Sequence, residues 1–184
     1  TFDLDFDTIA EQFTFTRGSE ATFVNEQGLI ESTNQLGEEL VTNGDFATDS
    51  DWNLGTGWSI ADGVISGSNT SNFSRQSLTD TIQDTGVYEV SFEVSNYSSG
   101  QARINLYGSN KWASTSIVSS NGVFTELLDL NSSNTGGSFN DTVLIQGFSS
   151  FTGSIDNVSV KEVISATNTP RIDYSTGAEA FLLE

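Results

Sequence analysis

The sequence has no cysteine, no histidine and no methionine. Disulfide staples, thiolate nucleophiles, imidazole bases and the usual His/Cys zinc sites are therefore excluded by inventory. Stability has to come from apolar burial and strand pairing. Basic residues are also scarce: 6 against 25 acidic ones, a formal net charge of −19 over 184 residues. That balance repels phosphate backbones and anionic bilayers, so neither nucleic acid nor membrane insertion is expected, whereas cations are favoured. No apolar run approaches the ~20 residues needed to cross a bilayer. The start, Thr1-Phe2-Asp3-Leu4, has no initiator methionine and no signal-peptide pattern, and residues 180–184 stop within an apolar segment. The expectation is a processed or excised fragment with more protein following.

What is present is Ser, Thr, Asn and Gly, a single proline (Pro170), and short apolar alternations between turn clusters, which is an all-β pattern. The clearest strand is 87–95, with Tyr88, Val90, Phe92 and Val94 on one face and Glu89, Ser91, Glu93 and Ser95 on the other. After the turn residues 96–100, the run 101–107 places Ala102, Ile104 and Leu106 inward and Arg103, Asn105 and Tyr107 outward. The two runs read as a hairpin, with Glu93 opposite Arg103 and Glu89 opposite Tyr107. A second hairpin is expected at 58–66 on the turn Asp62-Gly63, placing Trp58 across from Gly67. Further strands are expected at 124–130, 142–148 and 153–163, enough for two packed sheets.

The ends differ from the middle. Residues 13–16 alternate, and hairpins are expected within 21–30, around 25–28, and within 171–183, around 175–177. This gives a sandwich over 39–163 between two flanking β segments, 1–38 and 164–184, able to pair with each other or with neighbouring chains.

Leu40-Val41-Thr42-Asn43-Gly44-Asp45-Phe46, then Trp52, Gly57-Trp58, Gly86-Val87-Tyr88 and Gly153-Ser154-Ile155-Asp156-Asn157-Val158-Ser159-Val160 occur in this order. Together they resemble the jelly-roll carbohydrate-binding modules of families four, nine and twenty-two, which implies a non-catalytic jelly-roll β-sandwich. The flanks carry Phe15-Thr16-Arg17-Gly18-Ser19-Glu20-Ala21-Thr22-Phe23-Val24-Asn25, Gly28-Leu29-Ile30, and Pro170-Arg171-Ile172-Asp173-Tyr174 with Ala180-Phe181-Leu182-Leu183-Glu184. These resemble motifs of tail, fibre and head-associated proteins of tailed phages, where two such motifs bracket a variable stretch. The resemblance implies a non-catalytic protein of the virion surface, of tail-fibre, head-fibre or decoration type, with its module turned to host-surface polysaccharide. Copies of itself, as a homo-oligomer, and other virion structural proteins are the implied partners. Two alternatives stay open: a purely structural decoration or fibre protein, and the binding module of a secreted glycan-degrading enzyme.

In the resembling modules a structural calcium lies between the first strand's Asn-Gly-x-Phe segment and a final-strand aspartate, which carries over to Asp45, nearby backbone carbonyls and Asp156. Asp156 shares strand parity with Val158 and Val160, so its carboxylate is expected on the core side, where it needs a cation or several donors. Ala47 stands where the family often has a carboxylate, and a metal-free, hydrogen-bonded Asp156 is the alternative. Sugar rings stack on indoles, which makes Trp52, Trp58 and Trp112 candidates. Trp58 shares a strand with Ile60 and reads as core. Trp112 follows Gly108-Ser109-Asn110-Lys111 within a polar loop and is the expected sugar contact, with Tyr107, Asn105 and Arg103 beside it. Asp49 and Asp51 read as a solvated turn. Glu89 and Glu93 could mimic a glycosidase pair, but they read as lying on an open, wet face rather than in a cleft, so no catalytic residue is assigned.

Overall fold

The computed structural model describes residues 22–24, 30–32, 35–164, 171–173 and 180–182, with side chains over 36–164. The alternation at 13–16 and the turns at 25–28 and 175–177 lie outside the described residues. In chain order the strands are β1 (Thr22–Val24), β2 (Ile30–Ser32), β3 (Gln35–Glu39), β4 (Trp58–Ala61), β5 (Val64–Thr70), β6 (Phe73–Ser77) and β7 (Val87–Tyr107). They continue as β8 (Lys111–Ser114), β9 (Gly122–Asp129), β10 (Asn134–Thr135), β11 (Thr142–Ile164), β12 (Arg171–Asp173) and β13 (Ala180–Leu182). There is no helix among the described residues.

The chain divides into two compact units, Thr1–Gln35 with Ile164–Glu184, and Leu36–Val163. In the first unit β1 pairs β2 antiparallel and β12 pairs β13 antiparallel, with β1 and β12 in contact. The second unit is an all-β sandwich. All of its strands belong to one antiparallel, nine-stranded hydrogen-bonded sheet folded into two layers.

The layers are joined because β7 and β11 are each shared by both. The first half of β7 pairs β9 on one side (Phe92 with Phe124) and the last part of β11 on the other (Val94 with Ile155, Val90 with Val160). Its second half pairs β8 (Tyr107 with Trp112) and the first part of β11 (Ile104 with Ile145). The expected hairpin within 87–107 is therefore corrected to a single strand of 21 residues, and the two strands expected at 142–148 and 153–163 are one strand of 23. The alternation is as expected, but the turn residues bend the chain instead of reversing it. Asn96 and Gly100 have φ of 51° and 76°, and Ser149 and Ser150 of β11 have 48° and 63°. Both strands kink at the same level, where their register also shifts. A Cβ on Gly100 would lie 2.4 Å from the Phe151 backbone nitrogen, so only glycine permits the crossing. Consequently Glu93 faces Asp156, Glu89 faces Lys161 and Arg103 faces Gln146.

Between the layers lies one core: Tyr88, Val90, Phe92, Val94, Ile155, Val158 and Val160 from one side, and Ala102, Ile104, Leu106, Val143 and Ile145 from the other, all buried. Each such aliphatic or aromatic side chain contributes roughly 1.5–3 kcal/mol by leaving water. The expected hairpin on Asp62 and Gly63 is present with φ of 53° and 72°, and Trp58 pairs with Gly67. The segment before β4 is pinned to β11 where the Val158 amide donates to the Gly44 carbonyl at 2.9 Å.

Tyr88 is 1% exposed, and its hydroxyl oxygen accepts the Gln83 amide proton at 2.7 Å. Burial raises its phenol above the ordinary 10.0, more than the Gln83 hydrogen bond lowers it. Because the folded value is the higher one, the stabilising contribution is complete below the unfolded value near pH ~10 and is lost as pH rises through the folded one. Tyr88→Phe is expected to flatten the alkaline fall in melting temperature. At neutral pH it should cost about 0.5–1.5 kcal/mol in urea unfolding, the net worth of the hydrogen bond lost from the Gln83 amide.

Candidate functional site

One outer face of the sandwich gathers aromatic and polar side chains. It is formed by β6, the first part of β11, the second half of β7, β8 and β10, and the pairing aligns its residues in rows. The first row is Ser77, Thr142, Tyr107, Trp112 and Asn134; the second is Arg75, Leu144, Asn105 and Ser114; the third is Phe73, Gln146 and Arg103; and Phe148 stands beside Gln101. Directly paired residues share a face, so residues of the opposite parity, such as Ile104, Leu106, Val143 and Ile145, form the core beneath.

Tyr107 and Trp112 are parallel to within 15°, with centroids 5.7 Å apart, an offset arrangement favoured by the ring quadrupoles. Trp112 lies on a strand, not in the loop expected for it, because the turn at 108–110 closes a hairpin between β7 and β8. Phe139 meets the Tyr107 ring edge-on at 5.4 Å and the Phe73 ring at 5.7 Å, and the Arg75 guanidinium lies 4.8 Å from its centroid. These three partners surround Leu144, so the loop carrying Phe139 covers the middle of the face. Gly137 permits the approach, since a Cβ there would lie 2.8 Å from Tyr107 Cδ1.

Gln146 is the polar hub. Its Oε1 accepts from Arg103 Nε at 3.4 Å, Arg103 Nη2 at 3.3 Å and Asn105 Nδ2 at 3.1 Å. Arg103 also lies over the Phe148 ring, 4.8 Å from its centroid. Asn105 is 1% exposed and its Oδ1 has no hydrogen-bond partner, so it sits beneath the face and supports Gln146 rather than meeting solvent. Beside Arg75 opens a polar groove of about 420 Å³ bordered by Asp51, Asn53, Gln76, Ser77 and Thr142. Gln76 is held there by reciprocal bonds with Thr42, 2.8 Å from its amide and 2.7 Å to its carbonyl.

Of the expected sugar contacts, Arg103, Asn105, Tyr107 and Trp112 thus share one face. Trp52 and Trp58 do not: both are buried, Trp52 tilted against Phe46 and Trp58 stacked on Phe151. Gln146, Phe139, Arg75, Phe73 and Phe148 were not singled out by sequence. The outward phase of 142–148 marks Gln146 and Phe148, but only long-range pairing brings them to Arg103.

Asp156 is corrected. A register shift lies between Asp156 and Ser159, with Asn157 at φ 52°, and this bulge reverses parity, so Ile155 and Val158 point inward while Asp156 stands beside Glu93 on the opposite outer face. Its Oδ1 accepts the Asn157 amide at 2.7 Å, and Asn157 Nδ2 reaches Asp156 Oδ2 at 3.4 Å and Glu93 Oε2 at 3.3 Å. Asp45 Oδ1 accepts the Ala47 amide at 3.4 Å. Among the described residues no group of three or more acidic side chains stands together to hold a metal ion.

Millimolar calcium or its chelation is expected to leave the melting temperature unchanged in calorimetry; a rise of several degrees with calcium would contradict this. Gln146→Ala is expected to cost about 1–3 kcal/mol in urea unfolding, because it strips the buried Asn105 amide of its acceptor. Gln146→Glu, which keeps an acceptor there, should cost less.

No protein-family model matches the chain, and no curated protein matches it. A solved structure of a family 29 carbohydrate-binding module, a mutant made to probe ligand recognition in that family, is similar over 74% of this chain and 93% of its own, with a TM-score of 0.41 and 12% sequence identity.

Proposed function

We propose that the protein is a non-catalytic glycan-binding protein whose contact surface is the outer face of β6, β11, β7 and β8. The observation that carries this reading is the half-buried Tyr107–Trp112 pair beside the Arg103–Gln146 hydrogen-bonded group. Sugars bind by packing CH faces on rings while nearby donors and acceptors take the hydroxyls. Glu89 and Glu93 stand on the opposite outer face, across from Lys161 and Asp156, and take no part.

The setting we propose is the surface of a phage particle, where many copies turn weak single-site binding into firm attachment to host polysaccharide. The resemblance of the flanking motifs supports it, as does a compact unit made from both chain ends with the sandwich between them. A purely structural role is the second reading, and the placement of Phe139 over the middle of the face favours it.

The test is a glycan array probed with the full chain displayed multivalently, together with particle fractionation by mass spectrometry. The expected result is retention on a defined set of polysaccharides, with Trp112→Ala weakening it by about tenfold or more, equivalent to about 1.4 kcal/mol, at unchanged melting temperature. Silence across all polysaccharides, with the protein still found on particles, would establish the structural role instead. Release of new reducing ends would overturn the non-catalytic reading.

A further inference from the structure

Charge is segregated between the two outer faces. In a chain of net charge −19, the strands of the aromatic face, 73–77, 101–107, 111–114 and 142–148, contain no Asp or Glu. The side chains standing on that face include Arg75 and Arg103. The other outer face carries Glu89, Glu93, Asp129 and Asp156, with Lys161 as its counter-charge. Two arginines on strands that carry no carboxylate are not a requirement of folding, since the core lies on the other side of the strands.

Both guanidinium groups are held the same way, each 4.8 Å from a phenyl centroid, Arg75 over Phe139 and Arg103 over Phe148. In Arg103 the Nε and Nη2 side is turned to Gln146 Oε1, which leaves the Nη1 end of the guanidinium for a carboxylate. The partners of Arg103 are neutral, the Phe148 ring and Gln146 Oε1, so its charge is oriented without being neutralised. Asp51 borders the groove beside Arg75, and its side chain accepts from Ser50 Oγ at 2.5 Å.

We infer that the ligand of this face is an acidic polysaccharide bearing carboxylates, of uronic-acid type, with Arg103 and Arg75 taking carboxylates on separate sugar residues. The inference rests on the glycan-binding reading and narrows it. Arg75 and Arg103 lie two strands apart and two residues apart along the strands, which at about 4.8 Å per strand and 3.4 Å per residue separates their backbones by about 12 Å. That span is too wide for one carboxylate and calls for an oligomer with repeated charge. The overall negative charge does not forbid this, because at physiological salt the screening length is about 8 Å and the acidic outer face lies across the whole sandwich.

The experiment is calorimetric titration of the full chain with oligogalacturonate, oligoguluronate and oligoglucuronate, each beside its carboxyl-reduced counterpart, and with neutral glucan and xylan oligomers. The expected result is binding of at least one acidic oligomer that weakens with rising salt and falls by about tenfold or more on carboxyl reduction. Arg103→Gln and Arg75→Gln should each weaken the acidic ligand by on the order of tenfold and flatten the salt dependence, with Arg103→Lys keeping part of both. Gln146→Glu sets a carboxylate beside Arg103 without removing it, and should weaken the acidic oligomer while lowering the melting temperature less than Gln146→Ala does. Equal binding of acidic and reduced oligomers, or binding of neutral ones alone, would overturn the inference and leave glycan binding intact. Binding of no oligomer in either form would sink both.

Discussion

The long antiparallel pairing of β7 with β11 is the constraint on which the rest of the sandwich depends. The two strands stay partnered from Tyr107 with Thr142 to Tyr88 with Glu162, and bend together near Gly100 and Phe151. A strand that bends this way keeps its apolar parity on the concave side through both halves, so one alternating sequence supplies core residues to two layers. Every other strand of the unit docks, directly or through one neighbour, on this central pair. Losing the tight approach at Gly100 would therefore disturb both layers at once.

The same pairing builds the candidate site. It sets Arg103 beside Gln146 and Asn105 beside Leu144, while β6 brings Arg75 and Phe73 from the other side. No helix dipole, metal or buried charge is needed to position these groups. Aromatic rings orient the guanidinium groups, Gln146 ties Arg103 to the buried Asn105, and the Phe139 loop closes over Leu144. The face is thus a rigid, neutral-to-cationic surface on a strongly anionic chain, the kind of asymmetry that selects ligands by charge as well as shape.

Local chemistry was readable where the interaction is local. Asp62-Gly63 adopts the positive backbone angles that close β4 on β5, and Trp58 lands opposite Gly67. The outward set Arg103, Asn105 and Tyr107 follows from strand parity alone. Non-local partners were not readable: the cluster at 96–100 looks like a reversal and is a bend, because β11 offers each half of β7 a better partner than the other half could. Asp156 fails for a related reason, since one bulge at Asn157 inverts parity and no local signal separates that from continued alternation.

The amino-acid sequence by itself determined an all-β chain, the inward and outward sets of its strands, and the exclusion of cysteine and histidine chemistry. These follow from side-chain alternation, a steric property of neighbouring residues, and from inventory. Only the tertiary structure decided which strands meet, that Trp52 is core while Trp112 is on the face, and that Arg75, Gln146 and Phe139 join Arg103. Register between distant strands is settled by the packing of whole layers, and no stretch of a few residues carries that information.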